Sequence, residues 1–155
     1  MIMRRSAPLL LSLALCMLMS APTRAAEPSP GEQAIDYRHS LYDVLAWNFM
    51  PLTKMAKGET PYDKERFATL AHRVAYLAPL LSEAFPTGSF IPKKTDAKAI
   101  IWEQRAEFDG LLTTLATRSA TLAEVSKSGD LAKIRPALKA TGEVCKECHK
   151  KFKED

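Results

Sequence analysis

Apolar residues recur along this chain at three- and four-residue steps, the period of helices that bury one face, and no strand-like alternation rises above that signal. After a polar, proline-containing leader at 27–31, residues 37–55 place Arg38, Tyr42, Leu45, Phe49 and Leu52 on one stripe and predict a first amphipathic helix. Pro51 falls inside that pattern. A proline there removes a backbone donor and costs about 3 kcal/mol in a regular helix, so a kink or an early end is expected. Lys57-Gly58-Glu59-Thr60-Pro61 reads as a helix stop and a turn. Asp63 is the expected N-cap of a second helix, whose stripe is Phe67, Leu70, Ala71, Val74, Leu77 and Leu81 and whose last turn is disturbed by Pro79. Residues 82–96 hold Pro86, Gly88 and Pro92 with Phe85 and Phe90 between them, a loop with aromatic anchors. Thr95 or Asp96 is the expected cap of a third and longest helix carrying Ile101, Phe108, Leu111, Leu115, Leu122 and Val125 up to Lys127. Ser128-Gly129-Asp130 is a stop and a new cap. The fourth helix follows with Leu131, Ile134, Leu138, Thr141, Cys145, Cys148 and Phe152 in unbroken spacing, Pro136 bending it or postponing its regular start. Four such helices on short connections predict an all-α fold, an antiparallel four-helix bundle.

The start of the chain has a different character. Residues 1–5 are basic, 7–19 form a short apolar run entered by Pro8, and 21–26 supply small residues, the layout of a secretory signal peptide. The run is shorter than the ~20 residues a membrane helix needs, so it is read as cleaved, with no membrane anchor. Thr23-Arg24-Ala25 is the better cleavage triplet, placing the signal at 1–25 and the domain at 26–155; Cys16 leaves with the signal. Arg4-Arg5 alone does not make a twin-arginine signal. Removing 1–25 takes away Arg4, Arg5 and Arg24 and no acid. Lys+Arg falls from 22 to 19 against 18 acids, so the net charge falls from +4 to +1. A nearly neutral domain offers no electrostatic footprint for nucleic acid or an anionic membrane.

The candidate chemistry lies near the end of the chain, in Cys145-Lys146-Glu147-Cys148-His149. Two thiols and an imidazole at this spacing read as a c-type haem attachment site, both sulfurs forming thioethers and the histidine ligating iron. On a helix all three share a face. Zinc would want about four ligands, and no second cysteine pair exists. A redox dithiol would be expected beside a βαβ pattern, which is missing; a plain structural disulfide remains the simplest rival.

Several segments in order resemble the cytochrome c′ family: Tyr37-Arg38-x-Ser40, Lys57-Gly58-Glu59-x-Pro61-Tyr62-Asp63, Phe85-Pro86-x-Gly88, Ile101-Trp102 with Phe108, Ser128-Gly129-Asp130-Leu131, and Gly142-x-x-Cys145-x-x-Cys148-His149-x-x-Phe152-Lys153. The last is the specific one. The resemblance implies one covalent haem c per chain on Cys145 and Cys148, with His149 as the one strong protein ligand to iron. It places Arg38 near a haem propionate; the competing reading is a solvated charge. Lys153 stands where the family usually has Arg and lacks the planar fork. Tyr42 aligns with the residue that covers the sixth coordination position, where low-spin relatives of the c-556 type carry Met, and Leu45 and Phe49 complete an apolar wall.

These implications describe a periplasmic haem protein, not an enzyme, with five-coordinate iron that binds NO or CO, transfers single electrons with an unidentified redox partner, or does both. A low-spin electron carrier is the alternative, with Met50, Met55, His39 and His72 as the available sixth ligands; a haem-free metal or redox-switch module is a third reading. Many members of the family form homodimers through the first two helices. Val44, Trp47 and Val74 offer an outer apolar patch for that here, unless they belong to a broad core stripe.

Overall fold

The computed structural model describes residues 27–154; the expected signal segment 1–25, Cys16 and the cleavage triplet lie outside the described residues. Five helices follow in order: α1 (Pro30–Lys57), α2 (Lys64–Leu77), α3 (Ile100–Glu103), α4 (Arg105–Ser126) and α5 (Leu131–Phe152). A 3₁₀ segment (Ala78–Ala84) prolongs α2. The four long helices form the expected bundle, with the single turn α3 leading into α4.

α1 begins seven residues before its expected start and is the longest helix at 28 residues, against 22 for α4. The signals for the early start are local. Ser29 and Glu32 form a reciprocal capping box, and Pro30 occupies the first turn, where its missing N–H costs nothing. Nor does Pro51 end the helix, which continues to an αL cap at Gly58 (φ 80°). The carbonyl left without a donor belongs to Trp47, on a face whose side chain is 80% exposed, so water can satisfy it. Pro136 does not delay α5 either: Asp130 caps it, and Ile134 N already donates to Asp130 O at 3.0 Å.

The second helix is capped by Asp63 as read, and it tightens to 3₁₀ geometry at Ala78-Pro79. The start of the third helix differs from expectation. Thr95 and Asp96 do not cap it; Gln104 (φ −112°, ψ 42°) breaks the chain between α3 and α4. Thr95 Oγ1 accepts from Arg38, and Asp96 pairs with Lys153 at 3.3 Å. The buried stripe of α4 runs Phe108, Leu112, Leu115, Ser119, Leu122 and Ser126; Leu111 and Val125 are half-buried beside it.

α4 packs along both α2 and α5, and α1 along α2, whereas α1 and α5 scarcely meet. That gap holds the site. Two straps close its upper end. Residues 95–97 are sewn to the end of α5 by Lys98 N to Phe152 O (2.9 Å) and Glu154 N to Asp96 O (2.7 Å). Lys94 of the same loop pairs with Glu32 at the start of α1.

The Glu32 carboxylate accepts from Lys94 and from Ser29, which lowers its pKa from 4.5 to about 2. A carboxyl whose folded pKa is depressed stabilises the fold above its unfolded value, and that contribution is lost as pH falls from about 4.5 to about 2. Glu32→Gln should therefore lower the denaturant midpoint at neutral pH, and the difference from the parent chain should vanish near pH 2; a pH-independent difference would show that the strap does not act through this ionisation.

Candidate functional site

The space between α1 and α5 consists of a 490 Å³ cavity and an adjoining one of 280 Å³, both lined by Tyr42 and Ala46 from α1 and by Cys148 and His149 from α5. The upper cavity is walled by Arg38, Phe85, Phe108, Phe152 and the 95–97 strap; the lower by Leu45, Phe49, Val74, Leu111, Leu112, Leu115, Gly142 and Cys145. The fold therefore brings every expected site residue to one space. Arg38, Tyr42, Leu45 and Phe49 come from α1; Cys145, Cys148 and His149 come from α5, with Lys153 just beyond its end.

The α5 residues present free thiols. Both cysteines are half-buried, and Cys145 Sγ reaches Thr141 O at 3.6 Å, one helical turn back. Burial raises both thiol pKa values, that of Cys148 to about 11 with added repulsion from Cys145 and Glu147, so at neutral pH both stay protonated. His149 moves the other way. Partial burial, and then the Lys153 ammonium, hold its pKa below the usual imidazole range and favour the neutral ring whose nitrogen can ligate a metal. Among the described residues no three His, Cys, Asp or Glu side chains converge to hold a bare metal ion, which leaves the haem-free metal module without a donor set.

Tyr42 faces these groups from α1. Burial first, then the two cysteines, raise its pKa well above the phenolic range, and the nearby Arg38 charge opposes that only in part. Its hydroxyl is a neutral donor at any physiological pH. Below it the wall is apolar: Leu45 is buried, and Phe49 Cζ lies 3.7 Å from where a Cβ on Gly142 would sit, so the cleft narrows at this end.

Arg38 is no solvated charge. It is 3% exposed. Nε donates to Ala84 O (3.0 Å), Nη1 to Thr95 Oγ1 (2.9 Å), and Nη2 to Ser89 O and Oγ (3.2 and 2.8 Å). The guanidinium lies 4.2 Å from the Phe85 ring centroid, in a cluster continued by Phe85 on Phe108 (4.6 Å) and Phe108 on Phe152 (5.2 Å). Four of its five N–H groups are used in this way, and among the described residues no carboxylate lies within 4 Å of it. Burial lowers the Arg38 pKa, yet a guanidinium stays charged at neutral pH, so an anionic group at the cavity wall would be stabilised.

Of the other sixth-ligand candidates, His39 borders the upper cavity and Met50 the lower, although both side chains are exposed. Met55 is core, and His72 lies on a separate cleft between α1 and α2. Sequence reasoning did not pick out Ala46, one turn after Tyr42, and named Gly142 across from it only as part of the family segment. Both are small residues on faces otherwise lined by large ones, and that contrast was the available signal. Nor did it find Ser89, fully buried as a partner of Arg38, which only the folded loop brings near.

The profile of the Cytochrome C′ family matches residues 33–153. Cytochrome c′ of Rubrivivax gelatinosus is 36% identical over 125 residues, 81% of this chain and 96% of that protein. The structure of cytochrome c′ from Shewanella frigidimarina superposes with a TM-score of 0.79 at 36% identity, covering 83% of this chain and all of the other. Nitric oxide and carbon monoxide complexes of cytochrome c′ variants from Alcaligenes xylosoxidans superpose at 0.75 with 29% identity, over 83% of this chain and 99% or more of theirs.

Replacing the Arg38 fork by a single ammonium removes bonds to Ala84 O and Ser89 O inside a dry wall. Arg38→Lys should cost about 2–4 kcal/mol by thermal or denaturant unfolding, with faster amide exchange concentrated in 85–97. An unchanged midpoint with unchanged exchange would show that the loop is held by its other contacts.

Proposed function

Because the chain belongs to the cytochrome c′ family, whose members carry covalently bound haem c, we propose that it is a periplasmic monohaem cytochrome that binds NO or CO and exchanges single electrons. One observation carries this reading: thiols, an imidazole and a buried guanidinium without a counter-charge line the same space between α1 and α5.

The residues fit the group. Cys145 and Cys148 would hold it through two thioethers, His149 would ligate its iron through a ring nitrogen, and Arg38 would meet a propionate with its charge and remaining N–H. Bound there, the haem supplies an open iron position for a diatomic ligand and a one-electron couple. Tyr42, Leu45 and Phe49 control what reaches that position from α1. Their wall stabilises no anion and offers water one hydroxyl, so small uncharged molecules are favoured. The NO and CO complexes of the Alcaligenes relatives support the same ligand class. Lys153, tied to Asp96 and to Glu154 O, keeps a positive charge beside His149 without a bidentate fork.

The reading includes export through the 1–25 signal, ahead of a haem domain at 26–155. Among the described residues no helix is long and apolar enough to cross a membrane. It assigns binding and electron exchange to the site, and no turnover. It also includes a homodimer through the outer face of α1 and α2, where Val44, Trp47 and Tyr76 are 48%, 80% and 71% exposed. Val74 leaves the expected patch, because it is buried in the core at 1%. Trp47→Lys should convert a dimer to monomers in sedimentation velocity at micromolar concentration; a monomeric parent chain, or a dimer that survives the substitution, would remove this interface.

The ferrous protein should give a five-coordinate high-spin absorption and resonance Raman spectrum that shifts when CO or NO is added. Tyr42→Leu should keep that spectrum and speed CO association about tenfold, a barrier change of about 1.4 kcal/mol. A six-coordinate low-spin spectrum indifferent to CO would overturn gas binding and leave the low-spin carrier, with His39 and Met50, which border the cavity, as the ligands to replace.

A further inference from the structure

Along its outward side α5 carries Lys139, Lys146, Lys150 and, just past its end, Lys153, at the three-, four- and seven-residue steps that share a helix face. Lys146, Lys150 and Lys153 line a shallow open groove of 580 Å³ in which Glu154 is the one carboxylate among the described residues. The groove is also lined by Gly142, Cys145 and His149, and these same residues line the internal cavities from the other side. At this place side chains of the site reach the protein surface, and His149 itself is exposed.

The charges here are unevenly matched. Lys133, Lys139, Lys151 and Lys153 each have a carboxylate within 4 Å, but among the described residues Lys146 and Lys150 have none. Glu143, the near acid on this face, is already paired with Lys139 at 3.7 Å, and Glu147 bonds to neither lysine. With the domain at a net charge of only +1 without residues 1–25, the excess is local and not a sign of general basicity.

We propose that this groove is the docking surface for an acidic electron-transfer protein, an inference that rests on the electron-carrier function proposed above. Unpaired lysines on long stems attract a negative surface from a distance and stay hydrated until contact, so they set encounter rate and orientation more than final affinity. In the exchange the partner is oxidised by one electron and this protein is reduced by one; no atom or proton changes hands.

The test uses the intact haem-loaded protein and an acidic flavodoxin as donor. Titration with flavodoxin should move amide resonances mainly within 142–154 at about 20 mM salt and not at about 500 mM. Lys146→Glu combined with Lys150→Glu should abolish those shifts and slow reduction at low salt by about tenfold or more, while reduction by dithionite is unchanged. The same charge reversal at Lys54 and Lys57, at the far end of α1, should do neither. Shifts and rates that ignore the α5 reversals, or respond equally to both pairs, overturn the docking surface. Binding at 142–154 without reduction by flavodoxin or dithionite overturns instead the electron-carrier reading, and with it the task assigned to this surface.

Discussion

A helical bundle is held together by the apolar area its helices bury against one another, and here two of the four helices do not bury theirs together. α1 and α5 stand apart over cavities of 490 and 280 Å³. Space of this size, lined by apolar side chains, is room for a bound group rather than a packing defect. The remaining interfaces carry the load: α4 bridges α2 and α5, and Phe67, Leu122, Ile134 and Leu81 are fully buried along these seams. A flat, largely apolar haem held on α5 as proposed would fill the space between α1 and α5 and act as the fourth seam of the bundle.

Arg38 ties that seam to the rest of the chain. A buried guanidinium is costly unless its donors are used, and here the Ala84 carbonyl, Ser89 and Thr95 use most of them. The loop that supplies these acceptors is in turn sewn to the end of α5 at 96–98 and 152–154. One side chain thus sets the shape of the loop, caps the upper cavity and leaves an uncompensated charge facing it. If a haem propionate meets Arg38 as proposed, occupancy of the site would be linked to the order of a segment far away in sequence.

The site has two unlike sides. From α1 it sees an apolar wall with one neutral hydroxyl, suited to small uncharged ligands. From α5 it reaches solvent beside a row of lysines. In the functions proposed above, ligand access and electron access would use different faces, and a residue changed on one need not disturb the other. Lys153 sits where the two meet: it lines both the upper cavity and the outer groove and lowers the pKa of His149, while its bond to Asp96 holds the strap in place.

Much of this was legible in the linear chain, because helix periodicity, caps and the Cys145-x-x-Cys148-His149 spacing are local properties: the three- and four-residue rule puts the thiols and imidazole on one face whatever surrounds them. Local reasoning failed where two rules competed. Pro51 argued for a kink, but its cost depends on whether the freed carbonyl can reach water, and the exposure of Trp47 decides that. Ser29 and Glu32 spelled a capping box that the polar leader obscured. Thr95 and Asp96 had the chemistry of caps, but tertiary partners, Arg38 and Lys153, took their side chains. What the amino-acid order determined by itself was the set of helices and the placing of Cys145, Cys148 and His149 on one helix face. Only the tertiary structure decided that Arg38 is buried rather than solvated, that Val74 belongs to the core and not to the outer patch, and that α1 and α5 are held apart, because burial and counter-charge depend on which distant segments meet.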